Sequence, residues 1–454
     1  MKINASIFRE YDIRGQYPRE LNEQTAWEIA RALVAYTKAK KIVVGRDRRP
    51  QSAKIFPSFI SGLQSAGARV ESLGVCATPA LFFAVGAKNY EAGAMITASH
   101  SPQGQTGIKF CDREGRALGL GSGLEKIKKL ALKNKEIKKL GNRKTPVIAV
   151  DILADYKKFI FSLLDKKAIK GFKVVLDASS GSAATLAENI FDDLSLNLVK
   201  MNFEANDKYP DHDLNPLLEA NQRSIKKEVV RQQARLGILW DGDGDRVIFI
   251  DERGRLVEPY YLNCLLAIII LEKWPGSTLI MDSRLNLALS QTIEKAGGKP
   301  LIHRSGYANI IKTMQAKQIL FACENSGHIM FNFKLAGRRN YAFGDGIIPA
   351  LLVLEYLKKN KLTLSQAVAP WPKEYFISGE INLPIKNYAA TIKRVSREFV
   401  GNKKSRLDGL SVWGDDYFFN FRPSHTEPLA RLNIEARNKK VLAALRTRLL
   451  EIIK

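Results

Sequence analysis

Three related α/β domains followed by a smaller α+β domain are predicted by a strand–turn–helix plan that occurs three times and by a change of pattern in the tail. The stretches "KKIVVGRDRRPQS" from Lys40, "KGFKVVLDASSGSAATLAENIF" from Lys170 and "GSTLIMDSRLNLALSQTIEKAG" from Gly276 each run a short apolar strand into a polar or glycine turn and then a helical pattern. That order opens an α/β unit, and the separations are far too long for a solenoid repeat. The tail instead offers strand-like "GEINLPI", "LSVWGDDYFFNFR" and "ARLNIEA" before a closing amphipathic helix, Val441 to Ile453. Boundaries fall near Pro146, near Asp251 and at the helix-stopping Pro370-Trp371-Pro372, giving domains 1–145, 146–250, 251–369 and 370–454.

Composition sets the frame. A chain of 454 residues that is 45% hydrophobic can bury several cores. No apolar run is long enough to span a bilayer, and "MKINASIFREYDIRG" carries charge where a signal peptide would be apolar. Cys76, Cys111, Cys264 and Cys323 are scattered without a C-x-x-C pair, so neither a zinc site nor a disulfide framework is indicated. The expectation is a cytoplasmic protein with no membrane association. The balance of 71 basic against 46 acidic residues, net +25, favours anionic partners. Much of the excess lies in "EKIKKLALKNKEIKKLGNRK", residues 125–144, where Leu124, Ile127, Leu130, Leu132, Ile137 and Leu140 roughly fit one apolar helical stripe. No aromatic platforms interleave the lysines, so a solvated helix face is preferred to a nucleic-acid surface.

"LGILWDGDGDRVIFI", residues 236–250, is the strongest local signal. Asp241, Asp243 and Asp245 alternate with glycines that let the backbone curl, and three carboxylates so close repel unless a cation joins them. Hard oxygen ligands suit Mg²⁺ or Ca²⁺. Arg246 stands where an EF-hand loop requires glycine, and both flanks read as strands. In "TASHSPQGQTGIKF", residues 97–110, Ser99 reads either as an ordinary Ser/Thr turn or as an exposed nucleophile after a strand, with His100 and Lys109 able to handle a proton or hold a phosphate. No G-x-S-x-G elbow is present. "RPSHTEPLARLNIEA", residues 422–436, offers Arg422, Ser424, His425, Thr426 and Arg431, donors of the kind a phosphate takes, or a polar hairpin. "CENSGHIMF" sets Glu324, Ser326 and His328 on a turn between apolar strands, fit for gripping sugar hydroxyls or merely a turn. Three of the five histidines, His100, His328 and His425, lie in these loops, while His212 sits in "PDHDLNP" and His303 precedes "RSGY"; this clustering supports a functional reading.

"FREYDIRG", "TASHSP", "DGDGDR", "ENSGH" and "RPSHTEP" stand together in one order. With them the chain resembles the α-D-phosphohexomutases, the family of phosphomannomutases, phosphoglucomutases and phosphoglucosamine mutases, over essentially its whole length. The resemblance implies α/β domains with mixed sheets and a C-terminal α+β domain around a central cleft, with phosphoserine, metal, sugar and phosphate loops on domains one to four in turn. It implies that Ser99 is a phosphoserine and, with Asp241, Asp243 and Asp245, a Mg²⁺ ligand. Glu324, Ser326 and His328 would meet the sugar. Arg422, Ser424, His425, Thr426 and Arg431 would clamp the phosphate that is not transferred. Tyr11, Arg14, His100, Lys109 and Arg246 would line the reaction centre, with Lys109 the first candidate for general acid or base and His100 the second. Arg284 and Tyr307 align more loosely along the cleft.

The expected activity is interconversion of hexose 1-phosphate and hexose 6-phosphate, of mannose or glucose, through a phosphoserine enzyme and a 1,6-bisphosphosugar. Mg²⁺ is the expected cofactor, hexose 1,6-bisphosphate the activator, a phosphosugar the partner, and a monomer or homodimer the state. Phosphoglucosamine mutase is the runner-up; a basic nucleic-acid-binding protein would explain the charge but not the aspartate loop. Ser101, His425 and Cys323 depart from the family's usual Asn, Asn and Gly.

Overall fold

The computed structural model describes residues 3–133, 146–206, 211–335, 340–385, 387–424 and 429–453. The chain divides into two compact units, one from Met1–Leu256 and His328–Leu364, the other from Val257–Gly327 and Ser365–Lys454.

The first unit holds a six-stranded sheet ordered Ile13–Gln16, Gln105–Asp112, Ala92–Ile96, Lys41–Arg46, Arg69–Val75 and Ile148–Ala149. Lys41–Arg46 is parallel to both of its neighbours, whereas Gln105–Asp112 runs antiparallel between Ile13–Gln16 and Ala92–Ile96. The sheet is therefore mixed. Helices Glu23–Thr37 and Pro50–Ser65 pack with it around Ile29, Leu33, Ile42, Val44, Phe59 and Ile96. The central strand Ala92–Ile96 is wholly buried, and it delivers the chain straight into the loop that starts at Thr97. A second layer aligns Val247–Asp251, Leu236–Trp240, Lys173–Asp177 and Asn197–Met201. Leu236–Trp240 and Val247–Asp251 form an antiparallel hairpin whose tip is the aspartate loop. All residues of both strands are buried, so the apolar runs anchor the acidic tip from either side.

All three stretches that predicted strand–turn–helix units adopt them, with helices Pro50–Ser65, Ala183–Phe191 and Leu287–Lys295 following their strands. The basic helix covers Leu124–Lys133, while the rest of its expected span, 134–145, lies outside the described residues. Its buried face is Leu124, Ile127 and Ala131; Leu132 is exposed, since a helix of 3.6 residues per turn carries position 131 rather than 132 back onto the stripe of 124 and 127.

In the second unit, parallel strands Lys299–His303, Thr278–Asp282 and Phe321–Cys323 carry helices Leu287–Lys295 and Tyr307–Lys317. The tail is an antiparallel sheet in which Leu429–Ala436 pairs with Tyr417–Pro423, Phe376–Ile377 and Ile381–Pro384. Helices Tyr388–Glu398 and Lys439–Ile453 cover its core of Val395, Phe399, Phe419, Phe421, Leu432 and Leu449. One buried carboxylate joins the tail to the strands and helices before it. Glu435 accepts backbone N–H bonds from Asn286, Leu287 and Ala288 at 3.1, 2.8 and 2.9 Å, and the Tyr260 hydroxyl at 2.7 Å. Those N–H groups open the helix Leu287–Lys295 and would otherwise lack partners, so an acid from the tail caps a helix about 150 residues away.

Two further histidines make local polar contacts. His303 bonds Thr313 Oγ1 and the Arg304 carbonyl. His212, buried, sits 3.0 Å from Asp177 Oδ2 and 2.8 Å from the Asp213 carbonyl. Burial pulls its pKa down, but the hydrogen bond and charge of Asp177 outweigh burial and raise it to about 9.

Two stability predictions follow from these contacts. Glu435→Ala strands three helix N–H groups and a buried hydroxyl, and should cost on the order of 3 kcal/mol in urea unfolding; a cost below about 1 kcal/mol would show the cap to be incidental. For His212, the folded pKa lies above the ordinary value near 6.5. Its contribution is therefore complete below about pH 6.5 and disappears as pH rises through about 9. Melting temperature should fall more between pH 6 and pH 9.5 for the native chain than for His212→Gln, and parallel profiles would remove the pair from the account.

Candidate active site

Ser99 follows the buried strand Ala92–Ile96 in the left-handed region, at φ 52°. Such a conformation costs a β-carbon residue about 1–3 kcal/mol and persists only where surroundings fix it. The expectation of an exposed nucleophile is corrected here: Ser99 is 1% exposed. Its burial comes from the aspartate loop, where a side chain on Gly242 would lie 2.7 Å from the Ser99 carbonyl, so only glycine lets the loops meet. Ser99 Oγ donates to Asp241 Oδ2 at 2.7 Å and lies 3.2 Å from His100 Nδ1, and its N–H donates to Thr97 Oγ1 at 2.9 Å.

The three aspartates are buried, with ligand oxygens within 4.8 Å of one another. Lys109 Nζ meets Asp243 Oδ2 at 2.7 Å and Asp245 Oδ2 at 2.5 Å. Thr78 and Thr97 hydroxyls also donate to Asp243 Oδ2, at 2.7 and 3.2 Å. Asp243 Oδ1 is buried without a hydrogen-bond partner. An orphaned carboxylate oxygen beside two further carboxylates fits a hard divalent cation. Asp177, Asp211 and His212 also lie close enough to share an ion, with His212 Nε2 3.0 Å from Asp177 Oδ2.

Charge is distributed unevenly over the site. Burial, then the neighbouring Asp243 and Asp245, push Asp241 up to about 7. Burial also works against Asp245, yet Lys109 and His328 hold its carboxyl well below the usual range. Burial opposes the Lys109 ammonium, but Asp243 and Asp245 more than compensate and raise its pKa. His100 is held well below its ordinary value by burial and by Arg246 and Arg14, so its imidazole is neutral. Arg246 Nε donates to His328 Nε2 at 3.1 Å, and the same nitrogen lies 3.1 Å from Asp245 Oδ1. Arg14 donates to the Ala98 carbonyl at 2.8 Å and to the hydroxyl of Ser101. Tyr11 is half-buried on the bend before the strand that carries Arg14. The first unit thus brings together Ser99, His100, Lys109, Arg14, the three aspartates, Arg246 and His328.

The remaining candidates belong to the second unit. Glu324 accepts the Gly306 N–H at 2.9 Å, which ties it to the residue before Tyr307, the first residue of helix Tyr307–Lys317. Arg284 is bound to Asp282 through Nε at 3.1 Å, and Asp282 Oδ2 also takes the Asn325 N–H at 2.8 Å. Burial opposes the Arg284 charge, but Asp282, helped by Glu324 and Glu380, raises its pKa. Ser326 is half-buried on the same turn as Glu324. On the tail hairpin Arg422 and Arg431 face each other across the strands, and Glu380 lies 4.0 and 3.4 Å from their guanidinium nitrogens. Arg422 is buried, and its Nε has no hydrogen-bond partner. Ser424 N–H donates to the Leu429 carbonyl at 2.8 Å and closes the hairpin. His425 and Thr426 lie outside the described residues. Sequence reasoning missed Glu380, Asp282 and Arg49, which binds the Ser99 carbonyl at 2.8 Å. Glu380 could have been noticed as the carboxylate opening "GEINLPI"; the other two look like ordinary surface charges.

Among the described residues, no helix is long and apolar enough to cross a membrane. Three family models match in chain order: phosphoglucomutase/phosphomannomutase domain I over residues 5–138, domain II over 153–254 and domain III over 258–375. A phosphomannomutase from Escherichia coli K12 is 33% identical over 453 residues, 98% of each chain. The solved structure of a phosphoglucomutase/phosphomannomutase family protein from Burkholderia thailandensis superposes with a TM-score of 0.89 at 26% identity, covering 100% of this chain and 98% of that one. An N-acetylphosphoglucosamine mutase from Aspergillus fumigatus, solved with GlcNAc-6P and magnesium, is more distant, with a TM-score of 0.55 and 14% identity over 91% of this chain and 82% of that one. With its motifs, its three α/β domains and its full-length relatives in agreement, the chain belongs to the phosphoglucomutase/phosphomannomutase family of phosphohexomutases.

Proposed function

We propose that this protein interconverts the 1-phosphates and 6-phosphates of mannose or glucose by way of phosphorylated Ser99, and that it has four functional domains, 1–145, 146–250, 251–369 and 370–454. The observation that carries the reading is the hydrogen bond from Ser99 Oγ to Asp241 in a group of three buried carboxylates. A serine hydroxyl beside a cation site suits phosphoryl transfer through an enzyme-bound phosphoester, since the transfer depends on positioning and on cations around the phosphoryl oxygens. Phosphoglucosamine mutase stays the alternative within the class, and the mutase with that kind of substrate is the more distant of the structural likenesses.

Asp241, Asp243 and Asp245 would hold Mg²⁺ together with an oxygen of phosphoserine 99. When bound, the ion would neutralise charge developing on the transferred phosphoryl oxygens. In the first transfer the bond between phosphorus and Ser99 Oγ breaks and a bond to a free sugar hydroxyl forms. That hydroxyl loses a proton and Ser99 Oγ gains one. His100, neutral and 3.2 Å from Ser99 Oγ, is suited to accept the serine proton when the second transfer returns a phosphoryl group to Ser99. Lys109, whose ammonium is held charged by Asp243 and Asp245, is suited to stabilise charge on the transferred phosphoryl group rather than to act as the base. Arg14 and Arg246 add positive charge around the same oxygens. In the second unit, Glu324, Ser326 and Tyr307 would take sugar hydroxyls. Arg422, Arg431, Ser424, His425 and Thr426 would take the phosphate at rest, a phosphate competing with Glu380 for both guanidinium groups. The enzyme would be cytoplasmic, a monomer or homodimer, with hexose 1,6-bisphosphate as activator.

Mass spectrometry of the Ser99 peptide after incubation with a hexose 1,6-bisphosphate and Mg²⁺ should show one added phosphate, absent in Ser99→Ala. No phosphate at Ser99 in the native chain would defeat the mechanism. Asp243→Asn keeps shape but removes a carboxylate charge. It should lower turnover at least a hundredfold, on the order of the loss of a major electrostatic group, and should abolish the rise in melting temperature that Mg²⁺ gives the native chain. Near-native rates at saturating Mg²⁺ would refute the metal assignment.

A further inference from the structure

We propose that Arg49 is a positioning residue for the nucleophile, holding the Ser99 loop in its left-handed turn by binding the loop's carbonyls from beneath. This deepens the mechanism above and rests on Ser99 being the phosphorylated residue. Arg49 is 2% exposed, one residue ahead of helix Pro50–Ser65. Its Nη2 donates to the Ser99 carbonyl at 2.8 Å and also to the Ser101 carbonyl. Its Nη1 reaches the Pro102 and Gln105 carbonyls at 3.2 and 3.4 Å. One guanidinium therefore gathers four carbonyls from the whole span of the loop.

The consequence is directional. With the carbonyls of residues 99 to 105 drawn to Arg49, the Ser99 backbone keeps φ 52°, and its hydroxyl is left on Asp241 and near His100. The guanidinium is itself fixed. Asp47 Oδ2 lies 3.5 Å from Arg49 Nε, and Asp47 Oδ1 accepts the Arg49 backbone N–H at 3.0 Å. Ser52 and Thr97 also lie close to Asp47. Thr97 in turn accepts the Ser99 N–H and donates to Asp243, so the same buried group reaches the aspartate loop. Lysine cannot reproduce this, because four carbonyls in two pairs need the planar fork and an ammonium has three donors on one centre. Arg49 meets no reacting atom in this arrangement; it acts through the loop.

The test compares Arg49→Lys, Asp47→Asn and Ser99→Ala with the native chain. It measures kcat, KM, the rate at which hexose 1,6-bisphosphate phosphorylates Ser99, and melting temperature. A misplaced nucleophile costs on the order of a hundredfold in rate. The expected result for Arg49→Lys is that loss in kcat and in Ser99 phosphorylation, with KM within about threefold of native and a folded chain. Asp47→Asn, which loosens the fork without removing it, should fall between the two. Native phosphorylation and kcat in folded Arg49→Lys would overturn the proposal. If Arg49→Lys does not fold, Asp47→Asn decides: native kcat overturns the proposal, and reduced kcat with native KM supports it. Absence of phosphate on Ser99 in the native chain would instead be failure of the phosphoserine reading, a distinct outcome.

Discussion

Mutual repulsion among three buried carboxylates is the constraint around which the first unit is built. Asp241, Asp243 and Asp245 sit at the tip of a hairpin whose strands are entirely buried, so the tip cannot relax into solvent. Charge of one sign in a low-dielectric place has to be met by donors and cations. The protein meets it with Lys109 from the neighbouring sheet, with the Thr78 and Thr97 hydroxyls, and with the Gly244 N–H on Asp241 Oδ1 at 3.0 Å. Gly346 closes the far side, its N–H donating to the Gly244 carbonyl at 3.1 Å across a gap too small for a side chain. Ser99 belongs to the same set, since its hydroxyl supplies one of the donors that Asp241 requires. The Ser99 side chain is thus placed by the acids beside it.

The second unit solves a related problem with the opposite sign. Arg422 and Arg431 are register neighbours on the tail hairpin, and Glu380 stands by both. Asp408 accepts from Ser283 at 2.8 Å and from the Ser305 N–H at 3.1 Å, joining the tail to the loops around Arg284 and Tyr307. Burial works against the Asp408 charge, and Arg422, with these hydrogen bonds, more than offsets it, so its carboxyl lies below the usual range. The paired arginines are thus offset by carboxylates already in place.

The sequence carried the α/β architecture and the motif loops because both are local. Alternating apolar runs and glycine turns mark strands and helices within a dozen residues, and "DGDGDR" or "TASHSP" marks chemistry within six. What it did not carry depends on distance along the chain. Arg49 looks like one of several surface charges in "GRDRRP", and only its contacts with carbonyls about 50 residues on show that it is interior. Glu435 reads as the polar member of a tail strand, yet its partners lie 147 to 149 residues earlier. The burial of Ser99 escaped notice for the same reason, being imposed by Gly242 from another strand pair.

The cap made by Glu435 also bears on how the chain acquires its structure. Residues 257–327 emerge from the ribosome well before the strand Leu429–Ala436, with the stretch 328–364 of the other unit synthesised in between. Until that strand arrives, the Asn286, Leu287 and Ala288 N–H groups lack their carboxylate acceptor. The second unit therefore rests on contacts between residues far apart in the chain, the kind whose closure is slow to pay back. Sequence relatives divide the chain into domains, and the folding unit need not follow those borders: a fragment ending near residue 375, complete by family boundaries, would be one in which a helix lacks its acid.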